Sequence, residues 1–330
     1  MIKVGIVGFG WWGRHIAALL VQHPGFSVQA IADPQTDLWP NIQALRCAAV
    51  ARLDDLLEHN DLDAIILTSP NNLHDAQVAA CAANGLHVFC EKPLSLTADG
   101  ARASIEACRH AGVVLGVGHE RRFEPALQSL KAAVASGELG TILHTELAFS
   151  HNKLKHLDRS SWRTSKEFAP AASLTQTGIH LTDLLIWLYG AVEQVHAVTA
   201  NSGLDWETGD LLAVQLRFKA GMTAHLQAIL NTPHFLRTHV FGTDEHVEIR
   251  NASHPADPGG KVTMTRYRAP ETHTDHYFQW SDAVVANLES FAAAIDGTST
   301  YAFSDFEKLH NIEVLEAIVS SATTGQAVHL

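Results

Sequence analysis

Two rhythms of apolar residues divide the chain. From Ile2 to Gly118, short apolar runs alternate with helical patterns. Strands are expected at 2–7, a short apolar run with β-branched residues, at 27–33, at 64–68, a run of the fully buried type, at 86–90 and at 113–118. Between them, 13–23 repeats apolar residues at Ile16, Leu19 and Leu20, and a short helix over 54–58 is expected to be capped by Asp54. A helix over 73–84 stops at Gly85, and one over 97–111 stops at Gly112. Strands and helices in strict alternation predict a parallel, doubly wound α/β sheet.

Beyond about residue 120 the period changes. A helix is expected over 125–136, a strand over 142–149, a polar loop to 172 and a helix over 174–188. Leu212, Val214, Leu216 and Phe218 then share one face of a strand, and Met222, Ala224, Leu226 and Ala228 one face of the next. Further strands over 236–241, 247–250 and 261–268 precede two helices, 282–295 and 305–323. Period-two alternation with short turns predicts an antiparallel sheet, apolar on one side. The boundaries expected are 1–120 for the first domain and 121–330 for a second, α+β domain.

Composition narrows the class without naming a chemistry. The 330 residues include 46% hydrophobic and 18% charged residues, with a formal net charge of -12. That balance suits globular domains with a real core and argues against a nucleic-acid partner. No apolar run approaches the ~20 residues of a membrane span, and the N-terminus lacks the pattern of a signal peptide. Cys47, Cys81, Cys90 and Cys108 form no C-x-x-C pair, so reduced, buried thiols in a cytoplasmic protein are expected.

Gly8-Phe9-Gly10-Trp11-Trp12-Gly13 fits G-x-G-x-x-G where a strand meets a helix, and Asp33 follows twenty residues after Gly13 at the end of the second strand. This is the context a dinucleotide site requires. Gly8 permits the tight turn, Gly10 lets backbone approach the pyrophosphate, and Gly13 lets helix pack on strand. The helix N-terminus offers free N–H groups and a positive dipole end to the anion. A carboxylate at Asp33 accepts from a ribose 2′-hydroxyl and repels a 2′-phosphate, which predicts NAD over NADP. Taken alone, Asp33 also reads as a turn residue before Pro34.

Thr68-Ser69-Pro70-Asn71 with His74, and Glu91-Lys92-Pro93, lie at the carboxyl ends of the next strands, where ligands bind in this architecture. Pro93 holds Lys92 in extended backbone, so that its ammonium can project into a cleft. Alone, Lys92 has the ordinary reading of a solvated lysine.

With these motifs the chain resembles the Gfo/Idh/MocA oxidoreductases, the family of glucose–fructose oxidoreductase and inositol dehydrogenase. Arg122-Phe123-Glu124-Pro125, Trp162-Arg163 and Gly178-Ile179-His180-Leu181-Thr182-Asp183 extend the match along the chain. The resemblance implies a Rossmann domain followed by a domain with an open, mostly antiparallel sheet. It implies an NAD cofactor, a sugar, cyclitol or related polyol substrate, and homodimers or homotetramers formed through the C-terminal sheet. A metal held by His180 and Asp183 is not expected, since two ligands are too few. By position, Lys92 and His180 would be catalytic, exchanging a substrate hydroxyl proton. Asp183 would bind substrate or orient His180, and Gln176 and His156 would bind substrate, with Asn152 and Lys153 as further polar candidates. Gly8, Phe9, Gly10, Trp11, Trp12, Gly13, Asp33, Thr68, Ser69, Pro70, Asn71, His74, Glu91, Lys92, Trp162 and Arg163 would line the cofactor.

One position departs from the family. Many members carry an aspartate two residues before the glycine of the histidine motif, where this chain has the neutral Gln176. With no carboxylate one turn before it, His180 is expected to be mostly neutral at neutral pH. Without the resemblance, His180 would read as a helix histidine satisfied by Gln176. The departure also leaves room for a redox-neutral, glycosidase-like enzyme that uses NAD transiently, and for a non-enzymatic sensor that holds NAD.

Overall fold

The apolar runs of the first third become a parallel sheet. The computed structural model describes residues 1–58, 61–171, 173–269 and 272–330. In order, the elements are β1 (Ile2–Val7), α1 (Trp11–Gln22), β2 (Phe26–Ala32), α2 (Trp39–Ala44), β3 (Ala48–Val50), α3 (Leu53–Leu57), β4 (Ala64–Leu67), α4 (His74–Ala83), β5 (His87–Cys90), α5 (Ala98–Ala111) and β6 (Leu115–Val117). Among the described residues six strands pair in the order β3-β2-β1-β4-β5-β6, each pair parallel. The order reverses between β1 and β4, so the carboxyl ends of these two strands flank the crevice that such sheets offer to ligands.

Helix ends follow local chemistry. Thr97 caps α5 by accepting from the Gly100 N–H at 3.1 Å, and Gly112 closes it in the left-handed region at φ +68. The expected cap of α3 shifts by one residue. Asp54 faces Arg52 on the surface, and it is Asp55 whose Oδ2 accepts from the Arg52 N–H at 2.9 Å. The six-residue α2 and three-residue β3 are too short for periodicity to announce.

The second rhythm becomes a mostly antiparallel sheet. The elements continue with α6 (Pro125–Ser136), β7 (Ile142–Ser150), α7 (Ile179–Tyr189), β8 (Val192–Ala200), β9 (Leu211–Phe218), β10 (Thr223–Ile229), β11 (Phe235–Gly242), β12 (His246–Asn251), β13 (Val262–Ala269), β14 (Thr272–Phe278), α8 (Ala283–Ile295), α9 (Asp305–Thr324) and β15 (Val328–His329). Among the described residues nine strands lie in the order β14-β13-β12-β11-β7-β10-β9-β8-β15, and β7 with β10 is the parallel pair. The expected apolar face is there: Leu212, Val214, Leu216, Phe218, Ala224, Leu226 and Ala228 are all buried. β8 and β14 escaped the pattern. A register shift between Val192 and Gln194 breaks the period of β8, and β14 is exposed along almost its whole length. The loop residue Ala172, counted in the polar stretch before α7, lies outside the described residues.

Two units emerge, Met1–His119 with Val284–Leu309, and Glu120–Ala283 with His310–Leu330. Periodicity alone leaves 284–309 with the second domain, whereas this stretch packs into the first unit. The edge strand β6 explains why. Phe291 of α8 lies edge-on to Phe89 with centroids 5.6 Å apart, and a Cβ on Gly116 would meet both rings within 3 Å. Asn287 donates to the Val117 carbonyl at 2.9 Å, and the Tyr301 hydroxyl accepts from the Val117 N–H at 3.0 Å. The returning helix thus covers an edge that would otherwise carry open backbone groups. No helix among the described residues is long and apolar enough to cross a membrane.

Candidate active site

In the first unit, the glycine turn is built as a phosphate cradle. Gly8 has φ +92, and a Cβ there would meet the Thr68 carbonyl oxygen at 2.8 Å. A Cβ on Gly13 would meet the Gly8 carbonyl oxygen at 2.1 Å and Thr68 Oγ1 at 2.7 Å, so only glycine lets α1 start this close to β1. A Cβ on Gly10 would meet nothing within 4 Å. The space above Gly10 is open where that above its two neighbours is closed, which fits a turn that receives a ligand. No side chain caps the N-terminus of α1 and no acidic residue lies in its first turn, so its N–H groups and dipole face outward. The residues present therefore fit a dinucleotide.

Asp33 stands beside this turn, 5% exposed. Its Oδ2 accepts from the Phe9 N–H at 2.7 Å and its Oδ1 from the Gln35 N–H at 2.9 Å. Its carbonyl accepts from the Trp39 indole at 2.9 Å. Asp33 is therefore both a strand-end turn residue and an oriented carboxylate at the end of β2. Trp11 is exposed on α1, and Trp12 stacks on His15 with centroids 4.9 Å apart.

The second motif holds the floor of the site. Thr68 Oγ1 donates to the Gly8 carbonyl at 2.8 Å, which buttresses the glycine turn from β4. Ser69 donates to Gln77, and Pro70 opens a single 3-10 turn over Asn71–Leu73 in which Asn71 is buried. His74 is wholly buried, with Nδ1 2.7 Å from the Pro93 carbonyl and Nε2 3.1 Å from the Ser69 carbonyl. Burial pushes its pKa down. The ring ties the turn after β4 to the turn after β5, beneath the surface a ligand would touch. Glu91 is buried at the end of β5, and burial raises its pKa. Its Oε2 accepts from the Lys92 N–H at 3.2 Å, and its carboxylate occupies the space a Cβ on Gly118 would need, 2.5 Å away. The Trp12 indole N–H turns toward it without a hydrogen bond of good geometry. The Lys92–Pro93 peptide is cis, and Lys92 is half-buried.

In the second unit, α7 is entered through a π-helical turn, Leu174–Gly178, which contains Gln176. There the Ile179 N–H reaches back to the Leu174 carbonyl, so the turn is wider than an α-turn and four residues no longer equal one turn from Gln176 to His180. His180 is buried, its ring 6.4 Å from that of Phe149 on β7. A carboxylate does stand beside it. Glu120 Oε2 lies 3.8 Å from His180 Nδ1, so the neutral Gln176 does not leave this histidine without a carboxylate neighbour.

Asp183 has a different setting from the one expected. Arg122 grips it through Nε at 2.8 Å and a terminal nitrogen at 2.7 Å, and both side chains are 2% exposed. Behind that pair the Arg122 guanidinium lies 5.8 Å from the centroid of Trp187. His156, Lys153 and Asn152 belong to the loop after β7, where His156 is exposed and Lys153 pairs with Asp257 at 2.8 Å. Farther along, Arg163 lies over the Trp162 ring at 4.2 Å, and burial lowers its pKa.

Two features were not foreseen. One is Glu120, whose signal was present as the first residue of a charged turn after β6. The other is a group of rings around Phe149: His151 at 5.7 Å and His254 at 5.4 Å, with His234 6.2 Å from His254. Burial holds His254 neutral, with a pKa lowered to about 3. Its members lie far apart in sequence, so no spacing pattern marks it.

Comparison with known proteins decides the family. Residues 2–119 match the Gfo/Idh/MocA model described as an oxidoreductase family with an NAD-binding Rossmann fold, and residues 127–248 match the Gfo/Idh/MocA C-terminal domain. The chain belongs to the Gfo/Idh/MocA oxidoreductases. It is 30% identical to the myo-inositol 2-dehydrogenase of Thermotoga maritima, over 75% of this chain and 72% of that protein. It is 31% identical to the 2,7-anhydro-N-acetylneuraminate hydratase of Escherichia coli, over 69% of this chain but 61% of that protein, so it spans less than two thirds of that relative's length. The fold is that of the aldose-aldose oxidoreductase of Caulobacter crescentus, with a TM-score of 0.87 and 23% identity over 100% of this chain and 99% of that one. The Gfo/Idh/MocA protein is thus an oxidoreductase with an NAD-binding Rossmann domain. These comparisons do not favour the redox-neutral enzyme or the sensor.

Proposed function

We propose that this protein is an NAD-dependent dehydrogenase of a sugar, cyclitol or related polyol, with Lys92 and His180 as its proton-handling groups. The observation that carries the reading is the cradle at Gly8, Gly10 and Gly13 with Asp33 beside it. In that cradle, N–H groups at the start of α1 hold the pyrophosphate and Asp33 accepts from the adenosine ribose. The order of two backbone N–H groups on Asp33 keeps its charge in place against a 2′-phosphate, which supports preference for NAD. NAD, when bound, supplies the hydride chemistry at its nicotinamide. The chain supplies the rest. Glu91, Ser69, Asn71, Trp162 and Arg163 shape the cofactor's surroundings, while Thr68 and His74 position the turns rather than touch it. Lys92 donates to the reacting oxygen, and His180 takes or returns its proton. Asp183 acts by holding Arg122, and with it the turn that carries Glu120. Gln176 and His156 hydrogen-bond other substrate hydroxyls.

The same reading places residues 1–120 as cofactor domain and 121–330 as substrate domain, with 284–309 lent back to the first as a structural brace. It places the protein in the cytoplasm, where four buried thiols remain reduced. It assigns the outer face of the second sheet, with His144, Glu146, Gln194, Arg217 and His225 around a shallow hollow of about 520 Å³, to contact with a second copy. The test is turnover: purified protein with NAD is offered cyclitols, aldoses, sugar acids and dihydrodiols in turn, and NADH is followed by absorbance. NADH release with at least one polyol is expected. NADH binding with no turnover across the whole panel would overturn the reading.

A further inference from the structure

Gln176 is neutral, yet His180 faces a carboxylate. Resting on the dehydrogenase reading above, we infer that Glu120 is the positioning carboxylate of His180, supplied from a different segment of the chain. Glu120 opens the turn Glu120–Phe123, directly after β6. That turn is fastened to α7 by its own next residues. Arg122 grips Asp183 with two hydrogen bonds, while Arg121 is paired with Glu124 at 2.6 Å. On α7, His180 and Asp183 lie one turn apart on one face. The turn 120–123 therefore meets this face at two points, Arg122 on Asp183 and Glu120 on His180. The first contact fixes the second.

Two further charged pairs belong to the same segments. Asp183 is countered by Arg122. Arg121, which lies 5.4 Å from the centroid of the Phe149 ring, is countered by Glu124. Against Phe149, His151 packs edge-on and His254 is held neutral. The Glu120 carboxylate lies 3.8 Å from the imidazole, and both groups are shielded, with side chains 17% and 6% exposed. At 3.8 Å the contact is longer than a hydrogen bond, so it acts through charge and through orientation. A carboxylate facing Nδ1 favours the tautomer with its proton on Nδ1. Nε2 is then the nitrogen with a lone pair, the one that accepts a proton from a substrate hydroxyl. The same charge stabilises the imidazolium relative to the neutral ring.

The test reads His180 directly. The imidazole of His180 is followed by NMR pH titration in the full-length, NAD-loaded protein, its signal assigned by loss in His180→Asn. The pH–rate profile with any accepted polyol is recorded in parallel. Glu120→Gln should lower the His180 pKa and the acidic limb of the profile by on the order of one unit. Glu120→Asp should restore part of the shift. An unchanged His180 pKa in Glu120→Gln, in protein whose melting temperature is retained, would overturn the inference. Should Glu120→Gln fold poorly, Glu120→Ala decides by the same criterion. Failure of wild-type protein to oxidise any polyol would overturn the dehydrogenase reading instead, and the titration would still decide the role of Glu120.

Discussion

Arg122 and Asp183, sixty-one residues apart, form a bidentate ion pair that is almost wholly withdrawn from water. Removing one partner takes the ion pair from the buried charge that remains, which costs about 3–5 kcal/mol in such settings. Asp183→Leu is expected to lower stability by that amount in chemical denaturation of the full chain. The double variant Arg122→Met with Asp183→Leu should recover most of the loss, since two apolar groups replace two charges. A single variant as stable as wild type would show that the pair is not shielded.

The three motif glycines should fail differently. Gly13→Ala places a methyl group where the Gly8 carbonyl oxygen already lies at 2.1 Å, so both stability and NAD affinity should fall. Gly10→Ala meets nothing within 4 Å and keeps an ordinary φ of -66, so its melting temperature should hold while NAD binding weakens. Calorimetric titration with NAD, beside thermal melts, separates the two. Equal losses in both variants would remove the argument that the space above Gly10 belongs to a ligand.

Replacing Asp33 acts on two things at once. Asp33→Ser removes the charge that opposes a 2′-phosphate, so the preference for NAD over NADP should narrow. It also releases the Phe9 and Gln35 N–H groups, so NAD affinity itself should drop. Dissociation constants for both cofactors, measured in wild type and variant, check this. Wild-type protein that binds NADP as well as NAD would refute the role given to Asp33.

Lys92→Met keeps bulk and removes the ammonium. Turnover should fall by about two orders of magnitude, the usual size of a lost proton-transfer contribution, with NAD affinity retained. Near wild-type turnover would return Lys92 to the status of a partly buried lysine with no part in the chemistry.

Stability should fall in mild acid, in part through His254. Burial lowers its pKa in the folded chain to about 3, below the ordinary value near 6.5 that it regains on unfolding. Between these values the unfolded chain binds a proton that the folded chain does not. The contribution of His254 is therefore complete above about pH 6.5 and is lost progressively as pH falls toward about 3, by at most about 1.4 kcal/mol per pH unit. His254→Asn should flatten that part of the stability–pH curve, followed by denaturant melts at a series of pH values. A variant curve parallel to wild type throughout the window would contradict the assignment.

Much of the first unit was legible because its signals are local. Continuous apolar runs between helical patterns gave the parallel strands, and the glycine spacing gave the turn. Asp33 was found from its distance along the chain to Gly13. Helix α3 was placed correctly but its cap was not, since Asp54 and Asp55 are adjacent and only backbone geometry shows which carboxylate reaches back to Arg52. β14 offered no alternation to read, because it is exposed along nearly all its length.

The sequence by itself determined the alternation of strands and helices, the dinucleotide turn and the motif histidine, because each depends on residues within a few turns of one another. It also showed that Gln176 carries no charge. The tertiary structure alone decided that His180 has a carboxylate neighbour, because Glu120 reaches it through a buried Arg122–Asp183 contact between distant segments. It alone decided that 284–309 returns to the first unit, because β6 is a short edge strand whose open backbone groups at Val117 are met by Asn287 and Tyr301. In both cases the deciding interaction is the satisfaction of a buried charge or backbone group by a residue far along the chain, and no periodicity encodes such a partner.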